Sequence, residues 1–580
     1  MEPDTDDRAF AIMAVPRSRH AAPEPPSPAD QLAPAEPLPT VEPLPPAGPQ
    51  RSRARRLLTA QPTIAIAAVL VLAPAYIWYS SLLGMASNSD IATNVLQAWD
   101  LTHGHPLLQG WIQGNNSYLT NELLVWALVT KIIGITPVVG YVSQGFLYAV
   151  LVVLTALLAA GRTRDLRRSL LAVALVGAIM LAVNREVSSW MFLSLIDHLT
   201  TAIPLLILLL ILDRAQPTWK LGLAAFAILT WALTADHLAL FVGVAPVALV
   251  TAARIYFSAE QRKVHLAILG GALASVPASA LFNAMLSALG GAAKALPPEV
   301  VFASAGEMQA NFWETFDGLM IIFGAPLLGR STEHSLSEVL HLGALGLAVA
   351  GWVLAVRALR HLSLVDQILI VAIGINIAAF LFSTMPGPDY TAHEMLIVVP
   401  FSAALAARLI APRLTTWRGQ LPVAAGFLAA VLLLAATLTG TRTPEPTANL
   451  TAWLRQQNLT YGLSGFWQAA AVSVESRGHV FVAPVINDSA GHVGPTDVGV
   501  RRDWYDKNLH DARFVIGWRG GDQTGSVHDL NDALLNQYFG PPKSIKRIDV
   551  YVVYVYDYNL LDRLLPADQL PLQYQYRGGG

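Results

Sequence analysis

Apolar runs long enough to cross a lipid bilayer recur through most of this 580-residue chain. A helix needs about 17 to 25 predominantly apolar residues to span the hydrocarbon. Composition agrees, since 54% of the residues are hydrophobic and only 13% are charged. The sequence therefore predicts a polytopic α-helical membrane protein. Eleven spans are predicted, at residues 62–84, 137–160, 169–187, 197–213, 219–235, 237–257, 264–289, 338–358, 364–384, 391–411 and 420–440.

Basic residues test this count, because the cytoplasmic turns of membrane proteins are enriched in Lys and Arg. With the amino terminus inside, six turns would be cytoplasmic, and all six carry an excess of basic residues. They include RSRARR at 51–56, GRTRDLRR at 161–168 and RLTTWR at 413–418. The alternate loops are poor in such residues. The sequence therefore predicts a multi-pass plasma-membrane protein whose carboxyl terminus lies outside.

This topology divides the chain into three parts. Residues 1–56 are rich in Pro, Ala and Glu and are predicted to be a disordered cytoplasmic tail. Residues 57–440 form the transmembrane domain, with long outer loops at 85–136 and 290–337. Residues 441–580 are predicted to be an extracytoplasmic α/β domain. Its expected strands are HVFVAPV, ARFVIGW and VYVVYVYDY, and VHDLNDALLNQYFG is its expected helix.

The cysteine content and the net charge bear on the chemistry and the partners that can be expected. The chain has no cysteine, which removes disulfides, thiolate nucleophiles and cysteine-bound metals. Its formal net charge of −2 gives no indication of a nucleic-acid partner, and none is expected.

Ionisable side chains gather at the predicted outer ends of the spans. Such groups are costly near hydrocarbon and persist mainly where they have a function. In the predicted topology all of them face one side of the membrane, which favours a single outer cleft. A transporter would instead place its binding groups near mid-span. The residues are Asp90, Glu122, Arg185, Asp197, His198, Asp236, His237, His393 and Glu394.

Two segments, SNSDIATNVLQAWDL and DYTAHEMLIVVPFSAALAAR, resemble the GT-C class of polyprenyl-phosphate-sugar glycosyltransferases. That class includes protein O-mannosyltransferases, the aminoarabinose transferases of lipid A and mycobacterial arabinosyltransferases. The long first outer loop, an acid after the first span and a soluble domain after the last are similar too. TADHLALFVGVAPVALVTAAR also resembles uncharacterised actinobacterial members of this superfamily. The Asp-Glu pair of the O-mannosyltransferases is absent, because Ile91 follows Asp90.

The resemblance implies a GT-C-like fold and an inverting transfer at the outer face. The donor would be a polyprenyl-phosphate hexose or pentose among the membrane lipids, and the acceptor a cell-envelope glycan, lipid or protein. Asp90 stands at the position of the class's first-loop acid.

A carboxylate at this position also has a chemical rationale, because a base must take the acceptor hydroxyl proton as the sugar is attacked. We therefore predict that Asp90 is the base, assisted by Glu122 and Glu394. On a helix starting near Ile91, Asn94 and Gln97 would share the face of Asp90 and contact the acceptor. The alternative role for Asp90 is to cap that helix.

The departing phosphate needs cations or hydrogen-bond donors. Arg185, Lys294, Arg330 and His393 are placed for this by the topology, although each could equally anchor the chain at the lipid headgroups. The pairs Asp197–His198 and Asp236–His237 could bind substrate or a divalent metal, or could cap helices. Because no His-x-x-x-His motif occurs, no metal ligand is assigned, and the cofactor stays unknown with a divalent metal possible.

Aromatic residues in the loop and the final domain could stack on sugars. Trp99, Trp111 and Tyr118 are equally typical of an interfacial belt. Trp467 and Trp504 could equally belong to a domain core.

Two other functions stay open. A transporter or flippase of a lipid-linked saccharide predicts a continuous polar path across the bilayer. A non-enzymatic envelope assembly factor predicts that the outer acids do not meet in space.

Overall fold

The computed structural model describes residues 49–84, 89–114, 116–163, 165–184, 187–194, 198–294, 301–327, 336–387, 389–442, 444–487, 491–496, 498–518, 530 and 532–566. The chain falls into two compact units, Met1–Arg55 and Arg56–Gly580. Residues 1–48 of the predicted tail lie outside the described part, and the first helix begins at Pro49.

Helices dominate the structure up to residue 437. They are α1 Pro49–Leu83, α2 Ser89–Thr102, α3 Leu124–Ile133, α4 Val138–Ala160, α5 Leu166–Met180, α6 Val187–Leu193, α7 Ala202–Arg214, α8 Lys220–Ala235, α9 Ala245–Phe257, α10 Arg262–Ala288, α11 Met308–Ile322, α12 Leu336–Ala358, α13 Leu364–Leu381, α14 Val398–Ile410 and α15 Trp417–Thr437. Short π-helices at Leu119–Leu123 and Leu240–Val244, and 3₁₀ turns at His198–Thr201, Leu359–His361, Asp389–Met395 and Ala411–Arg413, join some of them.

Eight helical segments in the described residues are long and apolar enough to cross a membrane. They are Gln61–Leu83, Val138–Ala160, Leu240–Phe257, Arg262–Ala288, Ser337–His361, Leu364–Leu381, Thr391–Arg413 and Trp417–Thr437. The prediction of a polytopic helical membrane protein is thus confirmed. The other three predicted spans contain α5, α7 and α8, which are 15, 13 and 16 residues long. The span count of eleven and the orientation stay predictions.

Small residues allow close helix contacts within this bundle. A Cβ atom added to Gly222 of α8 would lie 2.4 Å from the carbonyl oxygen of Ala267 on α10. Backbones approach this closely only where one partner lacks a side chain, which is a common way to pack membrane helices.

The predicted outer loops contain regular structure. Residues 85–136 include α2, α3 and a short strand, β1 Trp111–Gln113. Residues 290–337 include strand β2 Ala293–Lys294 and helix α11. The apolar face of α2 explains its position, since Ile91, Ala92 and Val95 are all buried.

After residue 440 the chain forms a six-stranded mixed sheet. The elements of the chain after residue 440 are α16 Ala448–Gln456, β3 Tyr461–Ser464, α17 Phe466–Glu475, β4 Phe481–Asn487, β5 Val493–Pro495, β6 Val500–Arg501, the 3₁₀ turn Arg502–Tyr505, β7 Phe514–Trp518, α18 Asp532–Phe539, β8 Ser544–Ile548, β9 Tyr551–Val555 and the 3₁₀ turn Leu560–Arg563. The strand order is β5-β4-β3-β7-β9-β8, with β3 parallel to β4 and β7 and the other pairs antiparallel. The three expected strands form β4, β7 and β9, so the predicted α/β region is present.

A second, three-stranded sheet joins this region to both loops. Its order is β2-β1-β6, so one strand comes from each loop and one from the final region. Arg501 of β6 donates to Asp100 at 2.8 Å, and the indole of Trp111 donates to the same carboxylate at 2.8 Å. Helix α17 packs on α2, where the backbone N–H of Ala470 donates to Ser89 Oγ. Helix α2 and strand β1 of the first loop therefore support the final region, and we call these two elements the platform.

Candidate functional site

Irregular helical turns bring polar side chains together at one end of the bundle. The turn His198–Thr201 leads into α7, the turn Asp389–Met395 leads towards α14, and Asp236 ends α8. The π-helix Leu119–Leu123 lies beside them, with Tyr118 in a left-handed conformation (φ 47°) at its start. Short π- and 3₁₀-helical pieces often mark functional positions, because they re-aim side chains relative to a regular helix.

His198 is the centre of this cluster. Its Nδ1 lies 2.9 Å from Oδ2 of Asp236, which is 0% exposed. The same Asp236 oxygen accepts a hydrogen bond from the Thr201 hydroxyl at 2.5 Å. Oδ1 of Asp236 accepts from the backbone N–H of Leu238 at 2.9 Å. The carboxylate is thus held by three donors and fixes the orientation of the imidazole ring.

The other side of His198 faces Glu394. The distance from His198 Nε2 to Glu394 Oε2 is 3.0 Å, and Glu394 Oε1 lies 3.7 Å from Nε2 of His393. The two imidazole rings are nearly parallel, with centroids 6.0 Å apart and planes inclined by 6°. The side chains of Glu394 and His393 are 21% and 23% exposed. The cluster therefore has a buried end at Asp236 and an accessible end at Glu394.

Residues of the first loop form hydrogen bonds with the segments that carry the cluster. Glu122 is 0% exposed and accepts a hydrogen bond from the Thr200 hydroxyl. The amide of Asn121 donates to Thr201 Oγ1 at 3.0 Å. The neighbouring backbone N–H groups of Ser117 and Tyr118 donate to the Ala235 carbonyl at the end of α8. Side chains from three separate parts of the chain thus form one hydrogen-bonded network.

The donor atoms in this cluster suit proton transfer and cation binding. His198, His393 and Glu394 offer three ligand atoms that lie within 4.8 Å of one another. Asp236 and Glu394 are both carboxylates in contact with one imidazole. An imidazole donates from both nitrogens only when it is protonated, so the ring can hold either a proton or a cation on its Glu394 side.

Of the residues predicted from sequence, His198, Asp236, His393, Glu394 and Glu122 meet here. His198 and Asp236 were each predicted to pair with an adjacent residue, whereas the structure joins His198 to Asp236, 38 positions further along the chain. His237 is exposed, and its backbone N–H donates to the Asn116 side chain. The buried acid and its neighbouring histidine therefore occupy different environments.

Asp90 lies in the first turn of α2 and is half-buried. The side-chain amide of Asn94 donates to the Asp90 backbone carbonyl at 2.6 Å, a bond that occupies the group expected to contact an acceptor. Gln97 is buried at 5% exposure in the same helix. The structure therefore places these three residues on the platform helix, and the assignment of Asp90 as base stays a prediction.

Several predicted cations and one acid fall where the structure gives no side-chain position. Arg185, Asp197 and Arg330 lie outside the described residues. Lys294 is described only through its backbone, in β2.

The aromatic candidates divide between core and surface. Trp111 is 1% exposed and Trp504 is 6% exposed, and their rings contact each other edge to face in the platform core. The Trp99 ring stacks on that of His103 on the outer surface of α2. Tyr118 is half-buried, with its ring 6.3 Å from that of His198, so it is the aromatic residue nearest the cluster among those named from sequence.

Sequence reasoning missed Asn121, Thr200 and Thr201, which hold the acids in place. The run HLTT directly after Asp197 was a usable signal, because consecutive polar residues at the start of an apolar helix are well placed to bond outside it. Asn376 was missed too. Its amide donates to the Glu394 carbonyl at 3.0 Å and fixes the turn that carries the two accessible ligands.

No protein-family model matches the chain, and comparison with curated proteins finds no match.

Proposed function

We propose that this protein is a membrane glycosyltransferase that moves a sugar from a polyprenyl-phosphate donor to a cell-envelope acceptor at the outer face of the plasma membrane. The observation that carries the proposal is the chain of contacts Asp236–His198–Glu394 at the ends of apolar helices. Its buried end is rigidly held, and its accessible end presents exchangeable groups.

In the proposed reaction, the bond from the sugar's anomeric carbon to the phosphate oxygen breaks. A bond to the acceptor oxygen forms, and the acceptor's hydroxyl proton passes to a carboxylate. Polyprenyl phosphate departs with its negative charge, which donors or cations in the site must stabilise. The imidazoles of His198 and His393 can supply that positive charge by holding a proton or a cation. The described cluster therefore forms the phosphate end of the proposed site.

Asp90 is the proposed base, as the sequence predicted. It lies on α2, between the membrane helices and the six-stranded sheet region, and it is half-buried rather than sealed. Glu122 has a different proposed role, because full burial keeps it from an acceptor. Its bond from Thr200 makes it a positioning residue for the turn that carries His198.

Sidedness rests on the distribution of basic residues. The proposed cytoplasmic turn RLTTWR follows the carboxyl end of α14, whereas His393 and Glu394 of the His198 cluster precede its amino end. A reaction at the outer face is consistent with a lipid-linked donor. The phosphate of such a donor already activates the sugar, so no nucleotide-activated sugar is needed on that side.

The experiment begins with deletion of the gene in the source organism. Mass spectrometry of the lipids should show a polyprenyl-phosphate sugar that accumulates, and the envelope should lose that sugar. Asp90→Asn and Glu394→Gln should fail to restore it. Glu260→Gln is the matched control and should restore it fully, since Glu260 is an exposed acid in the turn between α9 and α10.

A second step separates transfer from transport. The accumulated lipid, supplied to purified protein in detergent with an envelope acceptor fraction, should release polyprenyl phosphate. A flippase would release none, because a micelle has no two faces to connect. If the deletion leaves lipid-linked sugars unchanged, the proposal is wrong and the assembly-factor alternative gains. If Asp90→Asn retains transfer while Glu394→Gln abolishes it, the base lies in the His198 cluster.

A further inference from the structure

The three accessible ligand atoms near His198 have the arrangement of a metal centre. His198, His393 and Glu394 each offer one ligand atom, and these three atoms lie within 4.8 Å of one another. Ligands bound tetrahedrally at zinc distances of about 2.0–2.1 Å are separated by about 3.3 Å. Nε2 of His198 lies 3.0 Å from Oε2 of Glu394, and Nε2 of His393 lies 3.7 Å from Oε1, so each imidazole faces a different oxygen of this carboxylate at a separation near that value.

The second ring nitrogen of His198 is arranged as it is in metal-binding histidines. Such histidines usually donate their other N–H to a carboxylate, which fixes the tautomer and leaves the lone pair on the nitrogen that faces the metal. Asp236 accepts from Nδ1 of His198 at 2.9 Å. It is itself oriented by the Thr201 hydroxyl and the Leu238 N–H. Nε2 of His198 therefore presents its lone pair towards Glu394 and His393.

Charge balance favours a dication over a proton here. Asp236 and Glu394 carry two negative charges in contact with one imidazole, and Asp236 is fully buried. One divalent cation with two neutral imidazoles neutralises both carboxylates, whereas protons would be needed on His198 and His393 together to do the same. Uncompensated charge is expensive at such depth.

We infer that His198, His393 and Glu394 bind one zinc ion, with Asp236 as the positioning carboxylate behind His198. Two imidazoles and one carboxylate form a ligand set that suits zinc, and three protein ligands leave a fourth position open. Calcium and magnesium prefer all-oxygen sites, so they fit this set poorly. When bound, the ion would supply positive charge for a phosphate or another anionic group at the open position.

The inference stands on ligand geometry and does not rest on the proposed glycosyl transfer. Zinc binding without any transfer activity would leave the inference intact, and transfer activity without zinc binding would overturn the inference while leaving the proposed function intact.

The test uses the full chain purified in detergent with an affinity tag that contains no histidine. After dialysis against a chelator, zinc is titrated by calorimetry, and bound zinc is measured by mass spectrometry after equilibrium dialysis. The wild type should bind one ion per chain. His198→Gln and Glu394→Gln should each weaken binding at least about 100-fold, and Asp236→Asn by about 10- to 100-fold.

Two variants guard against loss of the fold. His393→Gln changes a partly exposed side chain, so it should fold and still lose zinc. His103→Gln removes an exposed imidazole that stacks on Trp99, and zinc binding should be unchanged. Cobalt in place of zinc should give visible absorption of a four-coordinate site in the wild type and in His103→Gln only. Wild-type zinc affinity in a folded His393→Gln or His198→Gln protein would overturn the inference.

Discussion

Helices α7 and α14 carry ionisable groups at both ends, and the two ends use different chemistry. Each helix has 13 residues and is about 20 Å long. At the amino end, turns that precede the helices bring His198 and Glu394 together. At the carboxyl end, Asp213 of α7 meets Arg408 of α14.

The Arg408 end is a closed network. Its guanidinium donates to Asp213 at 3.0 Å, to Asp366 of α13 and to the backbone carbonyl of Leu158 at 2.9 Å. A cavity of about 300 Å³ borders it, lined also by Arg162 and Arg168. Arginine stays charged at every accessible pH, and its planar fork holds carboxylates in fixed directions. This end therefore suits a structural clamp between four helices, α4, α7, α13 and α14.

The His198 end differs because its positive partner can be exchanged. An imidazole gains or loses a proton near neutral pH, and its lone pair can bind a metal instead. We therefore assign a stabilising role to the Arg408 end, whose charge is permanent. We assign a chemical role to the His198 end, whose positive partner can be exchanged. Variants can test this division.

The largest effect on stability is expected from Arg408→Met. Removing the cation leaves Asp213 and Asp366 buried without their shared partner, and breaking such a pair costs about 3–5 kcal/mol. Thermal unfolding in detergent, followed by size-exclusion chromatography, should show a large loss of folded protein. Adding Asp366→Asn should recover part of it. Arg418→Met, which changes an exposed cation in α15, should behave like the wild type. An unchanged unfolding temperature for Arg408→Met would show that the Arg408 network does not stabilise the fold.

A smaller loss of stability is expected from His198→Gln. The glutamine amide can still donate to Asp236, so the cost should be about 1–3 kcal/mol, the range for an imperfectly satisfied buried polar group. Transfer activity should nevertheless be lost, and zinc binding should weaken at least about 100-fold. The same unfolding assay, run beside Arg408→Met, measures the difference. If His198→Gln is the less stable of the two, the His198 end is also structural.

The smallest effect is expected at a third cluster, which lies outside the long apolar helices. Arg501 hydrogen-bonds Asp503, which holds the pKa of that carboxyl below its ordinary value, and it also bonds Asp100. Because the folded pKa is the lower one, this stabilisation is present above the unfolded pKa of aspartate. It is lost as the pH falls through the folded pKa. Asp503 is partly exposed, so solvent weakens the effect.

Fluorescence of the buried Trp111 and Trp504 reports on that cluster. In a titration from about pH 7 to pH 3, Arg501→Met should show a weaker platform contact than the wild type at pH 7. The difference should shrink as the pH falls, because protonation of the carboxylates removes the same guanidinium interaction from the wild type. Lys507→Met, which removes an exposed ion pair with Asp562, is the control and should follow the wild type. Coincident titrations of Arg501→Met and the wild type would show that apolar packing alone holds the platform.

Sequence patterns predicted the helices and strands well where the signal is local. Apolar runs located the long helices within a few residues, as at 364–384 for α13 Leu364–Leu381. Alternating apolar residues located β9 at Tyr551–Val555. The central strand β3 was missed, because its four residues include Gly462, whose missing side chain makes room for the Phe514 ring. A Cβ atom there would lie 2.3 Å from that ring, so the glycine serves packing between strands and carries no local strand signal.

The first outer loop shows where local patterns are insufficient. Its length and polarity indicated function, and one of its acids, Glu122, does reach the cluster through Thr200. Another of its acids, Asp100, has structural partners instead, in Trp111 and Arg501. Those partners lie in strands that only the folded chain brings together, so the sequence could not separate the supporting acids from the chemical ones.

The sequence by itself determined that this is a membrane protein with a mixed α/β region after its last long helix, because hydropathy and periodicity are properties of contiguous residues. It also determined which ionisable residues stand at helix ends. Tertiary structure alone decided which of them meet. Asp236 turns into the core to hold His198 while the adjacent His237 faces outward, because consecutive residues at the end of a helix point in different directions.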